Sequence, residues 1–460
     1  MSTRAARKVA DQQVIDAAMA VLAAAPGLPA REDLAVELSD GVAAQRRGYY
    51  LPDEDERLRD SFHRYLAVRV SLWQTVQKLL PIVDRKTRAK KADFYRSYAI
   101  ALCASAMLWR TGHALLDMAQ GRDVVWKKLD EAEPRFGIER KTFTYMYDGL
   151  TAPKIMAKYR RSWRFYRRHT AQIQAAMQGD PFERIMPLLE AEAGFAPPTI
   201  KGWLGERLLF RGFSYRRRHI SAARKSLFAV FEASGARIAE LKQPFIKPAG
   251  SPKRVTDEVR ANVLAFCKPG DVFVTRHDDA LSNVFLPGFW PHAALFIGNA
   301  DQRRALGLPD IETARHHHGE RIVFMESKKD GVLFRPVEDT LELDAFIIMR
   351  PVLSDEALRA ALTSAMTHVG KLYDFAFDFA SADRLACTEL IYRTYHMAGD
   401  IRFTPEEIAG RTCLSAESLM NQAIGRGHFD VVAAYGIDGD SWQSDAQAFE
   451  ALRRSFASEF

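Results

Sequence analysis

From residue 8 to about residue 245, apolar positions recur at spacings of three and four, the period of an amphipathic helix. The clearest segment is "DEDERLRDSFHRYLAVRVSLWQTVQKLLPIV" (53–83). It opens on carboxylates suited to the positive end of a helix dipole and carries Pro81 near its close. Breaks such as "APGLP" and "LPDED" separate these segments, so residues 1–245 read as an all-α helical domain. The period changes after "KQPFIKPAGSPKR" (242–254), whose prolines and Gly-Ser pair mark a linker at 246–254. Short β-type runs follow at 271–276, 292–298, 321–326, 331–336 and 344–350, with turn residues between them, and predict an antiparallel sheet. Helical spacing returns at "SDEALRAALTSAMTHVG" (354–370), with Ser354 as cap and Gly370 as stop. It returns again at "SADRLACTELIYRTYHMAG" (381–399), with Ser381 or Asp383 as caps. The fold class expected is α+β: a helical domain, then a sheet packed on helices over 255–436, then a C-terminal helix or tail over 437–460.

A chain of 460 residues is long enough for two or three cores, and 47% hydrophobic against 27% charged residues is the balance of a globular protein. Charge changes the picture more. The net +7 divides into +16 for residues 1–250 and −9 for residues 251–460, which predicts an anionic partner for the first half. Residues 154–169 and 206–219 mix Lys and Arg with Tyr, Trp and Phe. The first expectation is aromatics in the core and arginines on a solvated face; contact with an anionic membrane surface comes next, then with the acidic second half of the chain itself, and nucleic acid last.

The four cysteines form no CxxC pair, which argues against a zinc ribbon or a disulfide framework and for a reducing compartment. No uninterrupted apolar run reaches bilayer length; "YAIALCASAMLW" (98–109), stopped by Arg96 and Arg110, reads as a buried helix. Residues 17–30 follow Arg4, Arg7 and Lys8 as in a signal peptide, but Asp11, Asp16 and an Ala-rich middle count against export. A cytoplasmic location is the expectation, with a membrane-peripheral one and export as the alternatives left open.

A thiol hydrolase needs a sulfur that ionises near neutral pH, a base beside it and a polar group orienting that base. Cys387 falls near the start of a predicted helix, where unpaired N–H groups favour thiolate. With Leu390, Ile391 and Thr394 it forms the stripe of a helix lying on a sheet. His292 opens one β-run and Glu326 ends the next, so adjacent strands can bring an imidazole and a carboxylate to one edge. Taken singly, each of these residues has a plain structural reading. Three consecutive histidines in "RHHHGE" (315–320) cannot all face one ion from a strand and read as a loop; Cys267 and Cys413 read as structural.

In order along the chain, "GDVFVTR", "LPGFWPHAALFIG", "FMESKKDGVLFRP", "KLYDFAFDF" and "CTELIYRTY" resemble the permuted papain-like amidases, the YiiX/YaeF-like branch of the NlpC-type cysteine peptidase superfamily, over residues 268 to about 400. The resemblance implies a circularly permuted papain-like fold in which the histidine strand precedes the cysteine helix. It implies Cys387 as nucleophile, His292 as general base and Glu326 as the group orienting it. Tyr373, Asp374, Thr388 and Trp290 are implied near the cleft, with Thr388 where the family usually has Ser. No metal or organic cofactor is implied, and the substrate class is an amide or ester of a peptide or lipid. The competing expectation is a non-enzymatic module that holds a peptide or lipid in the same groove.

Overall fold

The computed structural model describes residues 3–28, 31–84, 90–194, 252–277, 290–311, 321–375, 377, 379, 381–408 and 411–457. The chain divides into two compact units, Met1–Ala132 with Ile138–Ile220, and Glu133–Gly137 with Ser221–Phe460. Most of the expected linker, the 206–219 segment and the "RHHHGE" run lie outside the described residues.

The first unit is helical, built around the helix Lys91–Ala119. By length and composition alone this helix could cross a membrane, but 72% of its apolar window is buried inside the unit. Its small residues Ala99, Cys103, Ala104 and Ala106 let neighbouring helices approach closely, and all four are fully buried. Helices Thr3–Ala24 and Pro52–Val83 pack against it. The first of these buries Val14 in the core, and with it Ala18 and Val21 from the stretch that resembles a signal peptide. Pro81 sits in the last turn of Pro52–Val83, as the sequence predicts.

The second unit carries a seven-stranded sheet in the order β11-β10-β5-β1-β2-β3-β4. Its strands are β1 (Val272–Arg276), β2 (His292–Phe296), β3 (Ile322–Lys328), β4 (Gly331–Pro336), β5 (Ala345–Pro351), β10 (Phe429–Tyr435) and β11 (Trp442–Ser444). All six pairings are antiparallel. Two small pairs stand apart from it: β6 (Leu372–Tyr373) with β7 (Arg384–Leu385), which is parallel, and β8 (Glu406–Ile408) with β9 (Arg411–Cys413). Both faces of the sheet are covered, which is why its strands read as nearly continuous apolar runs. On one face, Val274, Leu295, Met325 and Ile347 pack against Leu390 and Ile391 of the helix Cys387–Tyr395. On the other, the rings of Phe273, Phe296 and Phe324 meet edge to face at 5.0 and 5.2 Å, under Val259 and Val263 of the helix Asp257–Phe266.

Three expectations change in detail. The helix expected at 381–399 runs only from Cys387 to Tyr395, because Arg384 and Leu385 are drawn into the β6–β7 pairing. Ser381 and Asp383 therefore bond to each other at 2.8 Å instead of capping, and the N-cap is Ala386, whose side chain makes no cap. Strand β10, not expected from the sequence, pairs with the central β5. The C-terminal stretch supplies strand β11 before its helix Asp445–Ala457, and Ala448, Ala451 and Leu452 belong to the core of the second unit.

Candidate active site

Strands β2 and β3 are in register only at Leu295–Met325 and Phe296–Phe324. Towards the start of β2 this pairing ends, and the chain entering the cysteine helix supplies the hydrogen bonds that a partner strand would have made. The Ser327 hydroxyl on β3 donates to the Leu385 carbonyl at 2.7 Å, and the Ala293 N–H on β2 stands near the Cys387 sulfur, where it favours the charged form. Cys387 is the first residue of its helix, so the Thr388 N–H, one of the unpaired donors of a helix start, also reaches the sulfur. The site is thus held by backbone on both sides.

His292, at the first position of β2, takes up the gap between the sulfur and β3. Its Nε2 lies 2.7 Å from Glu326 Oε1, and the ring also stands close enough to Cys387 for the sulfur to favour its charged form. Glu326 is 1% exposed, and its other oxygen accepts from the Thr340 hydroxyl at 3.1 Å and faces the Lys328 ammonium at 3.0 Å. The Arg335 guanidinium stands 3.5 Å away.

These contacts set the charges. Burial opposes ionisation of Glu326, yet Lys328 and His292 outweigh it and lower its pKa to about 2. Burial likewise opposes the imidazolium, but Cys387 and Glu326 raise the His292 pKa to about 9. For Cys387, burial is outweighed by His292 and by the N–H donors of Ala293 and Thr388, so its pKa falls below the ordinary thiol value. The two shifts are reciprocal and favour a thiolate–imidazolium pair. A second imidazole, His277, is pushed the other way, to about 4, by burial and then by the positive charges of Lys253, His292 and Lys328.

The remaining residues singled out in the sequence divide. Tyr373 hydrogen-bonds Cys387, and burial and the sulfur's charge raise its pKa well above the ordinary value, so its hydroxyl keeps its proton. It is held there by its pairing with Leu385 and by the hairpin β3–β4, where Gly331 turns with φ of +99°. Val332 N–H donates to the Lys371 carbonyl at 2.8 Å, and a Cβ on Gly331 would sit 2.4 Å from that oxygen. Asp374 is buried, and its N–H donates to the Leu385 carbonyl at 3.2 Å; Thr388 contributes its backbone. Trp290 is buried in the core and its indole donates to Ser455 on the C-terminal helix at 2.9 Å. Cys267 is buried in the opposite core with its pKa raised by burial, while Cys413 lies on β9. Lys328, Thr340, Arg335 and Ser327 were not singled out; of these only Lys328 had a signal, standing two residues from Glu326 on the same strand face.

Residues 266–443 match the family described as permuted papain-like amidase enzyme, YaeF/YiiX, C92 family. This stretch is similar to the permuted papain-like amidases. The resemblance read over 268 to about 400 thus extends through the helix Ala416–Gly425 and strand β10 into β11, and ends before the helix Asp445–Ala457. No curated protein and no solved structure matches the chain. The family match supports a cysteine-hydrolase type of activity for residues 266–443.

Proposed function

We propose that the permuted papain-like domain is a cysteine hydrolase that opens an amide or ester of a peptide or lipid through an acyl-enzyme on Cys387. The observation that supports this reading is the place of one imidazole, His292, which hydrogen-bonds the Glu326 carboxylate at 2.7 Å and lies beside the Cys387 sulfur. His292 takes the thiol proton, and the thiolate forms a bond to the substrate carbonyl carbon. The resulting oxyanion lies within reach of the donors now on the sulfur, the Thr388 N–H and the Tyr373 hydroxyl. The imidazolium returns its proton to the departing nitrogen or oxygen as that bond to carbon breaks, leaving a thioester. His292 then deprotonates a water molecule that attacks the thioester, which releases the acid and restores the thiol. Glu326 fixes the ring orientation and stabilises its charged form throughout.

A non-enzymatic binding module has one observation in its favour, the 1% exposure of Cys387. Against it stands the 19% exposure of the His292 side chain, so the site is not wholly sealed from solvent. Acyl trapping separates the two. Incubation with nitrophenyl esters of graded chain length, followed by mass mapping, should place a stoichiometric acyl adduct on Cys387 that hydroxylamine removes. An intact Cys387 after exposure to every ester, or an adduct on other residues alone, overturns the hydrolase reading.

A further inference from the structure

The helix Pro153–Arg168 of the first unit contains seven cations and no carboxylate. It buries Met156, Tyr159 and Trp163, spaced i, i+3 and i+7, as its inner face. The opposite face carries Lys154, Lys158, Arg161 and Arg168 in one heptad-spaced stripe flanked by Arg164, and all five are exposed. Among the described residues none of these five has an ion-pair partner, whereas Arg47, Arg57, Arg96 and Arg110 of the same unit all meet carboxylates. Like charges three and four residues apart weaken a helix, so the stripe is held at a cost that nothing within the described chain offsets.

We infer that this face is a docking surface for an anionic lipid bilayer. The helix has 16 residues, which gives a stripe about 24 Å long, enough to meet several headgroups at once. Ile155, 41% exposed on the same helix, and Tyr145, 67% exposed on the preceding helix Thr142–Leu150, are the kinds of side chain that enter a headgroup layer. Nucleic acid fits less well. Of the aromatic rings on this helix, Tyr159 and Trp163 face inward and are buried, and Phe165, half-buried beside the stripe, is already engaged with Tyr98 at 4.4 Å and stacked on His169 at 4.0 Å, so none of these offers a free stacking platform for bases. The inference is independent of the chemistry at Cys387.

The test is co-sedimentation of the full chain with phosphatidylcholine vesicles, with and without phosphatidylserine. Binding is expected only to the anionic vesicles, and it should fall as salt shortens the screening length to a few ångströms. Changing Lys154, Lys158, Arg161, Arg164 and Arg168 together to Gln should weaken it by at least about 100-fold. Because all five are exposed, the melting temperature should hold. Should the combined variant fold poorly, Arg161→Gln and Ile155→Ser singly should each weaken binding several-fold. Wild-type protein left in the supernatant with anionic vesicles at low salt overturns the inference, as do duplex DNA binding without vesicle binding and full vesicle binding by a folded variant.

Discussion

Cys387→Ala should lower the turnover of any ester or amide the protein accepts by about 10³-fold or more, with the fold intact. The sulfur is the atom on which the donors converge: His292, the Ala293 and Thr388 N–H groups and the Tyr373 hydroxyl all address it. Removing it leaves an oxyanion site without a nucleophile. Cys387→Ser should be almost as slow, because a hydroxyl ionises far less readily than a thiol and the neighbouring imidazolium cannot make up the difference. Both changes remove or replace one small buried atom, so melting should shift by only a few degrees. The ester hydrolysed fastest by the wild type is the substrate for this comparison. Turnover by Cys387→Ala within ten-fold of the wild type would contradict the nucleophile assignment.

The second large effect is on stability. Glu326→Ala should cost about 3–5 kcal/mol, because it leaves Lys328 and Arg335 facing a buried gap where the carboxylate stood. It should also slow turnover by about 10²-fold or more, since His292 loses the acceptor that fixes its ring. Glu326→Gln keeps an oxygen for the histidine and the threonine hydroxyl, so its packing cost should be smaller. The pH dependence distinguishes a charge effect from a packing effect. The folded-state pKa of Glu326 is depressed to about 2, so its stabilising contribution is fully present above the ordinary carboxyl pKa and is lost as pH falls from there through about 2. Chemical denaturation across that range should show a steeper loss in the wild type than in Glu326→Gln. Equal slopes would mean that the carboxylate is not held ionised by its neighbours.

Much of this site was legible in the chain because its parts obey local rules. The strands carrying His292 and Glu326 announce themselves by apolar runs between turns, and the stripe Cys387, Leu390, Ile391, Thr394 places the sulfur on the sheet side of a helix. What was not legible depends on pairings distant in sequence. The start of the cysteine helix shifted to Cys387 because Arg384–Leu385 pairs with Leu372–Tyr373, a two-residue contact with no periodicity to betray it. Strand β10 sits beside the central β5, yet "FDVVAAY" reads equally well as part of a buried helix. Thr340 and Arg335 reach Glu326 only through the folding of β4 and the short helix Val337–Thr340 beneath β3. Tyr373 could be placed near the cleft from "YDFAF", but its bond to the sulfur depends on the Gly331 turn and the parallel pair that hold it.

The reciprocal ionisation of Cys387 and His292 is the centre of the account, and the rate of Cys387 alkylation by iodoacetamide as a function of pH measures it directly. In the wild type the thiolate should form below the ordinary thiol range, with a second change near pH 9 as the imidazolium loses its proton. In His292→Ala, where burial of the sulfur is no longer opposed by a neighbouring positive charge, the labelling curve should move to or above the ordinary thiol value. A wild-type Cys387 that titrates like a free thiol, or a curve that His292→Ala leaves in place, would contradict it.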